Sequence, residues 1–383
     1  MTVLIKAYTG ALIHDGERLH SGHALLMSKA EGCRIVPDVD LPEDCEVEAL
    51  DGGLIAPGFV DLQVNGGGGV LLNDDPSVDI LRIMAAAHAR LGTAAFLPTL
   101  ITDTPDRTRA AIDAVALALD DRVQGIVGLH LEGPHLSVAR KGAHDGALIR
   151  AMTDVDLALL VEAAERLPNV MLTVAPESVT LDQMRRLTDA GVILSLGHTD
   201  ADRATCHAAF DAGVRCVTHL FNAMSQLGSR EPGLVGATLE REEVHAGLIA
   251  DAVHVHPASI RIALNAKPRS DRVFLVTDAM APAGSDIDRF TLSGRDVFRG
   301  DGRLTLSDGT LAGADLDMAT ALNVMVEQVG DTTKNAVARA TATPAALLRD
   351  IGGVGFIGKS TQWVNYIARA DQKGSSTRRL GLV

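Results

Sequence analysis

The chain has 383 residues, more than a single hydrophobic core usually supports, so one large domain with a smaller companion is expected. Apolar residues make up 46% of it against 22% charged, which excludes global disorder, and with aromatics at only 3% the interior must be filled by Ala, Val, Leu and Ile. A formal net charge of -14 argues against nucleic acid or an anionic membrane as partner, and it means that an anionic substrate would have to meet a local basic pocket.

No apolar run approaches the ~20 residues of a membrane span. Residues 1–10 lack the charged, apolar and cleavage regions of a signal peptide, so a cytoplasmic location is expected. Cys33, Cys45, Cys206 and Cys216 are scattered and form no CxxC pair, which predicts four reduced thiols.

Residues 1–54 carry short apolar runs between turn signals (His14-Asp15-Gly16, Glu31-Gly32, Pro42-Glu43-Asp44) and no helical period, as in a small β domain. From Leu54 onward short apolar runs alternate with Ala-rich amphipathic segments, the pattern of repeated βα units. Strands are predicted at 55–64, 94–100, 124–131, 170–175, 192–196, 215–220, 245–249 and 273–276. Helices are predicted at 77–91, 105–119, 154–166, 181–190, 202–212, 257–266 and 317–329, with an inserted hairpin at 289–310. Runs at 354–357 and 363–367 read as strands returning to the N-terminal β domain, and 372–379 as a frayed basic tail. The expected fold is therefore α/β: a (β/α)8 TIM barrel over 55–350 with a small β-sandwich domain formed by 1–54 and 351–383.

In such a barrel the chemistry sits at the C-terminal ends of the strands, so what closes each apolar run matters most. Glu132 closes the third run, His198 the fifth and His219 the sixth. One carboxylate and two imidazoles suit Zn2+ or Fe2+ with an open position for water. Asp278, closing the eighth run, has the chemistry of a general base. His130, two residues before Glu132, is expected to support that carboxylate. His14, His20, His23 and His88 are expected at the surface or between domains, and Gly66 to Gly69 as a backbone turn without a phosphate-binding fingerprint.

Five segments carry a resemblance: Ala56-Pro57-Gly58-Phe59-Val60-Asp61, Leu129-His130-Leu131-Glu132-Gly133-Pro134, Gly197-His198-Thr199-Asp200-Ala201, Thr218-His219-Leu220-Phe221-Asn222-Ala223-Met224 and Val276-Thr277-Asp278-Ala279-Met280. In this order they resemble the N-acetylglucosamine-6-phosphate deacetylase family of metal-dependent amidohydrolases. The resemblance implies one divalent ion per chain, Zn2+ first and Fe2+ or another ion as alternatives, on Glu132, His198 and His219 with Asp278 as acid/base. It also implies a substrate-binding set of Gln63, His144, Asn222, Ala223, Arg230, His254, Leu311 and Ala312, with His144 at the oxyanion and Arg230 crossing a homodimer interface to the sugar phosphate.

Many amidohydrolases carry His-x-His after the first strand for a second metal; here Gln63 and Asn65 stand there, which implies a single ion. The stretch after Ile351 lacks the usual Gly-x-x-Ala-x-Leu closing pattern. The rival enzyme is another N-acyl or cyclic-amide hydrolase on the same fold, and the non-enzyme alternative is a scaffold with a decayed site, which the retained Glu132, His198, His219 and Asp278 disfavour.

Overall fold

The computed structural model describes residues 5–358, 363–368 and 376–380. Eight parallel strands form one sheet in chain order: β1 (Phe59–Val64), β2 (Thr93–Ile101), β3 (Leu129–Glu132), β4 (Val170–Val174), β5 (Ile193–Leu196), β6 (Cys216–Val217), β7 (His245–Leu248) and β8 (Val273–Leu275). Just past β8, Ala279 bridges Val64 in parallel. There Asp278 N–H donates to Gln63 O at 3.1 Å and Asn65 N–H to Ala279 O at 2.8 Å, which closes the sheet into a barrel. Strands buried on both faces read as continuous apolar runs rather than alternating ones, and β2 is buried at every position.

The surrounding helices start where the sequence supplies a cap. Ser77, Thr104 and Asp202 accept backbone N–H bonds ahead of α1 (Val78–Arg90), α2 (Pro105–Asp120) and α5 (Arg203–Asp211). Reciprocal capping boxes, Thr153 with Asp156 and Thr180 with Gln183, open α3 (Asp154–Arg166) and α4 (Leu181–Asp189). The sixth helix, α6 (Gly233–Glu240), has no predicted counterpart. Leu234, Val235, Ala237 and Leu239 are buried around most of its circumference, so it shows no amphipathic stripe, and its N-cap residue, Pro232, offers no capping side chain; Glu231 and Ser225 accept its first N–H groups instead. Then follow α7 (Pro257–Ala266), α8 (Met318–Asn323) with a π-helical continuation over Val324–Val329, α9 (Thr333–Ala340) and the short α10 (Ala342–Ala345).

Two terminal sheets make the sandwich. One has four strands in the order Gly32–Pro37, His23–Ser28, Ile5–Thr9, Glu46–Ala49; the other has five, Thr377–Leu380, Val364–Ile367, Leu54–Pro57, Leu12–His14, Leu19–His20. Tyr8, Ile13, Leu25, Met27, Ile55, Val364 and Leu380 pack between them.

Four sequence expectations change. The run at 55–64 is two strands in two sheets, broken at Gly58, where a Cβ would lie 2.3 Å from the Ala94 Cβ and 2.6 Å from Trp363 Cδ1. Residues 354–357 are turns, dominated by Gly352, Gly353 and Gly355 at positive φ, and not a strand. Of the tail read as frayed, 372–375 lies outside the described residues, while Thr377–Leu380 pairs with Val364–Ile367. There Arg379 stacks 4.0 Å from the centre of the Trp363 ring and Arg378 pairs with Glu48, so its basic residues are structural. The inserted hairpin is a three-stranded antiparallel sheet, Arg289–Leu292, Arg295–Gly300 and Arg303–Leu306, seated over the C-terminal mouth of the barrel.

Candidate metal centre and active site

At the C-terminal mouth lies a cavity of about 240 Å³ lined on its polar side by Asn65, Glu132, His144, His198, His219, Asn222, Ala223, His254 and Asp278. Ile101, Ile249, Met280, Leu292 and Leu311 form its apolar walls, Leu292 coming from the inserted sheet. Glu132, the last residue of β3, meets His198 after β5 and His219 after β6: both Nε2 atoms lie close to Glu132 Oε1, at 3.2 and 3.0 Å, and 3.1 Å from each other. One ligand atom from each lies within 4.8 Å of the others, and all three residues are buried. Three lone-pair donors aimed at one point are mutually repulsive unless a proton or cation sits among them, so the donor set fits a divalent metal.

The backbone is bent to bring this about. His198, His219 and Asp278 take positive φ of 48°, 32° and 50°, a region non-glycine residues rarely visit, and such strain concentrates at functional positions. His198 Nδ1 pairs with Arg140 O at 2.8 Å, which directs Nε2 at the cluster.

Asp278 stands beside the cluster. Gln63 Nε2 donates to Asp278 Oδ1 at 3.1 Å and to Glu132 Oε1 at 3.2 Å, and Asn65 Nδ2 donates to Asp278 Oδ1 at 2.7 Å. The two amides thus present N–H donors to carboxylates and hold no ligand set of their own. Burial, reinforced by the negative charge of Glu132, pushes the Asp278 carboxyl up to about 6. Burial alone would raise Glu132 as well, but the imidazoles of His198 and His219 outweigh it and hold that carboxyl well below its usual range.

The other expected positions divide. His144 is buried against the His198 ring, 4.4 Å between centres, and burial together with His198 pushes it down to about 3, so it is a neutral group. Thr102 Oγ1 donates to Glu132 O at 3.3 Å and lies 2.8 Å from His144 Nδ1, which fixes that edge of the ring and turns Nε2 away from it. Asp251 Oδ2 accepts from His254 Nδ1 at 2.6 Å, leaving Nε2 for a ligand. The Asn222 N–H is already bonded to His219 O at 2.9 Å, whereas the Ala223 N–H, in a left-handed turn with φ of 48°, has no backbone partner among the described residues.

Leu311 lines the cavity, but Ala312 faces the core of the inserted sheet, its N–H bonded to Leu304 O at 3.0 Å. Arg230 is exposed on a loop with Leu227 and does not reach the cavity of its own chain. His130 does not touch the Glu132 side chain; its ring bridges Thr173 Oγ1 at 2.8 Å and Thr99 Oγ1 at 3.3 Å inside the barrel. His14 and His88 are buried, the latter bracing Gly66 O at 2.9 Å under the tight turn that follows β1. The sequence did not single out Thr102, Arg140 or Asp251 as orienting groups; the first two act through contacts between distant segments, while Asp251 acts on His254 three residues on, within one loop. Asp251 alone carried a signal, as a polar residue closing the seventh run.

A sequence profile of the Amidohydrolase family matches residues 54–354. The chain belongs to that family. It is 41% identical over 361 residues to the N-acetylgalactosamine-6-phosphate deacetylase of Shewanella sp. (strain ANA-3), covering 88% of this chain and 91% of that protein. It is 34% identical over 314 residues to the N-acetylglucosamine-6-phosphate deacetylase of Haemophilus influenzae, covering 81% of each. Among solved structures, the N-acetylglucosamine-6-phosphate deacetylase from Pasteurella multocida superposes with a TM-score of 0.88 at 33% identity and 96% coverage of both chains. Within this amidohydrolase no described helix is long and apolar enough to cross a membrane, and all four cysteines are free thiols.

Proposed function

We propose that this amidohydrolase removes the acetyl group of N-acetyl-D-glucosamine 6-phosphate, yielding D-glucosamine 6-phosphate and acetate. The observation that carries the reading is the convergence of Glu132, His198 and His219 beside Asp278 in one cavity, in a chain whose relatives are named for this chemistry. Glu132, His198 and His219 would hold the divalent ion, Zn2+ first by donor type. When bound, that ion supplies Lewis acidity and lowers the pKa of water.

The side chains do the rest. Gln63 and Asn65 both occupy Asp278 Oδ1, so Oδ2 takes the proton from the attacking water and returns it to the departing amine. His144, a neutral ring held by Thr102, stabilises the developing oxyanion. The Ala223 N–H and His254 hold the sugar phosphate from this chain, and Arg230 reaches its phosphate from the partner of a homodimer. Leu292 and Leu311 exclude water from the cavity. The same reading assigns 55–350 to the catalytic barrel and 1–54 with 351–383 to its supporting sandwich, in a cytoplasmic enzyme.

A specific observation favours a second reading: identity is 41% to the galactosamine-phosphate enzyme against 34% to the glucosamine-phosphate one. The two substrates differ only in the orientation of one hydroxyl. Acetate release from both sugar phosphates, compared as kcat/KM, decides it. Higher efficiency on the glucosamine epimer upholds the first reading, and the reverse replaces it with the second.

Two outcomes follow from the site. Elemental analysis should find one tightly held ion per chain, and His198→Ala should lose metal and activity together; two ions at full occupancy, or lost activity with unchanged metal, would contradict the assignment. Asp278 works as a carboxylate, so kcat/KM should fall as pH drops through its pKa. The acid limb belongs at or below about pH 6, because a cation on the neighbouring cluster lowers the value further. An acid limb that survives in Asp278→Asn would assign it to another group.

A further inference from the structure

The opposite end of the barrel holds a second cavity of about 270 Å³, as large as the catalytic one. Its lining comes from the points where the chain enters the strands. Asn169 precedes β4, Arg215 precedes β6, His245 opens β7 and Arg272 precedes β8, while Arg349 closes the side after α10. In a TIM barrel this face ordinarily serves stability rather than chemistry, so three guanidinium groups around one cavity are not explained by the fold.

Nor do they serve as ion-pair partners. Glu243, the only carboxylate in the lining among the described residues, is engaged by Arg241 at 2.6 Å, and Asp271 near His245 is engaged by Arg269 at 2.8 Å. No carboxylate among the described residues pairs with Arg215, Arg272 or Arg349. Arg272 Nη1 reaches Glu243 O at 3.2 Å, but its Nε and the His245 Nδ1 are buried with no partner. A buried guanidinium N–H and a buried ring nitrogen without partners are uncommon and costly.

Arg349 is held in place. Its N–H donates to Asn169 Oδ1 at 2.7 Å and its carbonyl accepts from Asn169 Nδ2 at 3.0 Å. Its guanidinium lies over Gly191, where a Cβ would come 2.9 Å from Nη1, so that residue's lack of a side chain makes the room.

We propose that this basal cavity is a second anion site, which takes the phosphate group of a small phosphorylated compound or free inorganic phosphate. A carboxylate satisfies one guanidinium fork; a tetrahedral dianion presents acceptors to guanidiniums arriving from several directions and balances more than one uncompensated charge. Burial, with the charges of Arg272 and Lys267, pushes His245 down to about 4, so its imidazole reports directly on an anion arriving in the cavity. Binding there ties the floor of the barrel to the segment after α10 and stabilises the folded chain by mass action.

The test uses the metal-loaded full chain with nitrogen-labelled histidine, the His245 signals being assigned through His245→Gln. Inorganic phosphate and glucose 6-phosphate are titrated separately. Both should move the His245 signals, and the double variant Arg215→Ala/Arg349→Ala, which alters two exposed side chains remote from the catalytic cavity, should weaken that response more than about tenfold. Tighter binding of glucose 6-phosphate would identify a sugar phosphate as the occupant, and equal binding would identify the phosphate group alone. His245 signals that stay fixed while phosphate fills the catalytic site, or an unchanged affinity in the double variant, would overturn the proposal. Because the readout is binding at His245, the result stands whether or not the enzyme deacetylates amino sugars.

Discussion

Asp278→Asn should keep the fold and the metal and lose roughly 10² to 10⁴ of turnover, the usual contribution of a positioned acid/base. Asparagine has the same shape, and the Gln63 and Asn65 amides that donate to Asp278 Oδ1 at 3.1 and 2.7 Å can still donate to its amide oxygen. What disappears is the proton-accepting oxygen. The charge relations support this division of labour. Asp278 is the carboxyl raised to about 6, poised to exchange a proton near neutrality, whereas Glu132 is held ionised by two imidazoles and is suited to ligation. Steady-state kinetics and metal analysis on the same preparation separate the two roles. Near-normal turnover with metal bound would remove Asp278 from the chemistry, and loss of the metal would make it a ligand.

Arg230→Ala should cut kcat/KM for the phosphorylated sugar by roughly 30- to 5,000-fold, the equivalent of the ~2 to 5 kcal/mol typically lost when one member of a buried charge-assisted pair is removed. For the unphosphorylated sugar, which cannot use the contact, the change should be small. The comparison of two substrates on one protein cancels any general loss of folded enzyme. Arg230 is exposed and remote from its own chain's cavity, so the effect also requires that a second copy deliver it. Size-exclusion chromatography with light scattering should therefore show a dimer, and dilution below its dissociation constant should reproduce the selectivity of Arg230→Ala in the wild type. Equal proportional losses on both sugars would show that Arg230 does not read the phosphate.

The parts of the site legible in the sequence were those written as strand ends. A polar residue closing an apolar run is visible without coordinates, and Glu132, His198, His219 and Asp278 all have that form. The groups that orient them were not legible. Thr102 meets His144 across 42 residues and Arg140 O meets His198 across 58, contacts that depend on barrel closure and that no local pattern encodes. The same limit applies to the fold. Helices with caps and one apolar face could be read, while α6, buried around most of its circumference, could not. At Gly58 a continuous apolar run conceals a change of sheet, because hydrophobicity reports burial and not which core a strand enters.

The most direct test of the central assignment is acetate release by the metal-stripped and metal-restored enzyme. N-acetyl-D-glucosamine 6-phosphate and its galactosamine epimer would each be offered, with acetate and free amine quantified together. The stripped enzyme should be inactive. One equivalent of Zn2+ or Fe2+ per chain should restore equimolar release of acetate and amine from at least one of the two. Full activity without metal, or a metal-restored enzyme that releases no acetate from either sugar phosphate, would contradict the account.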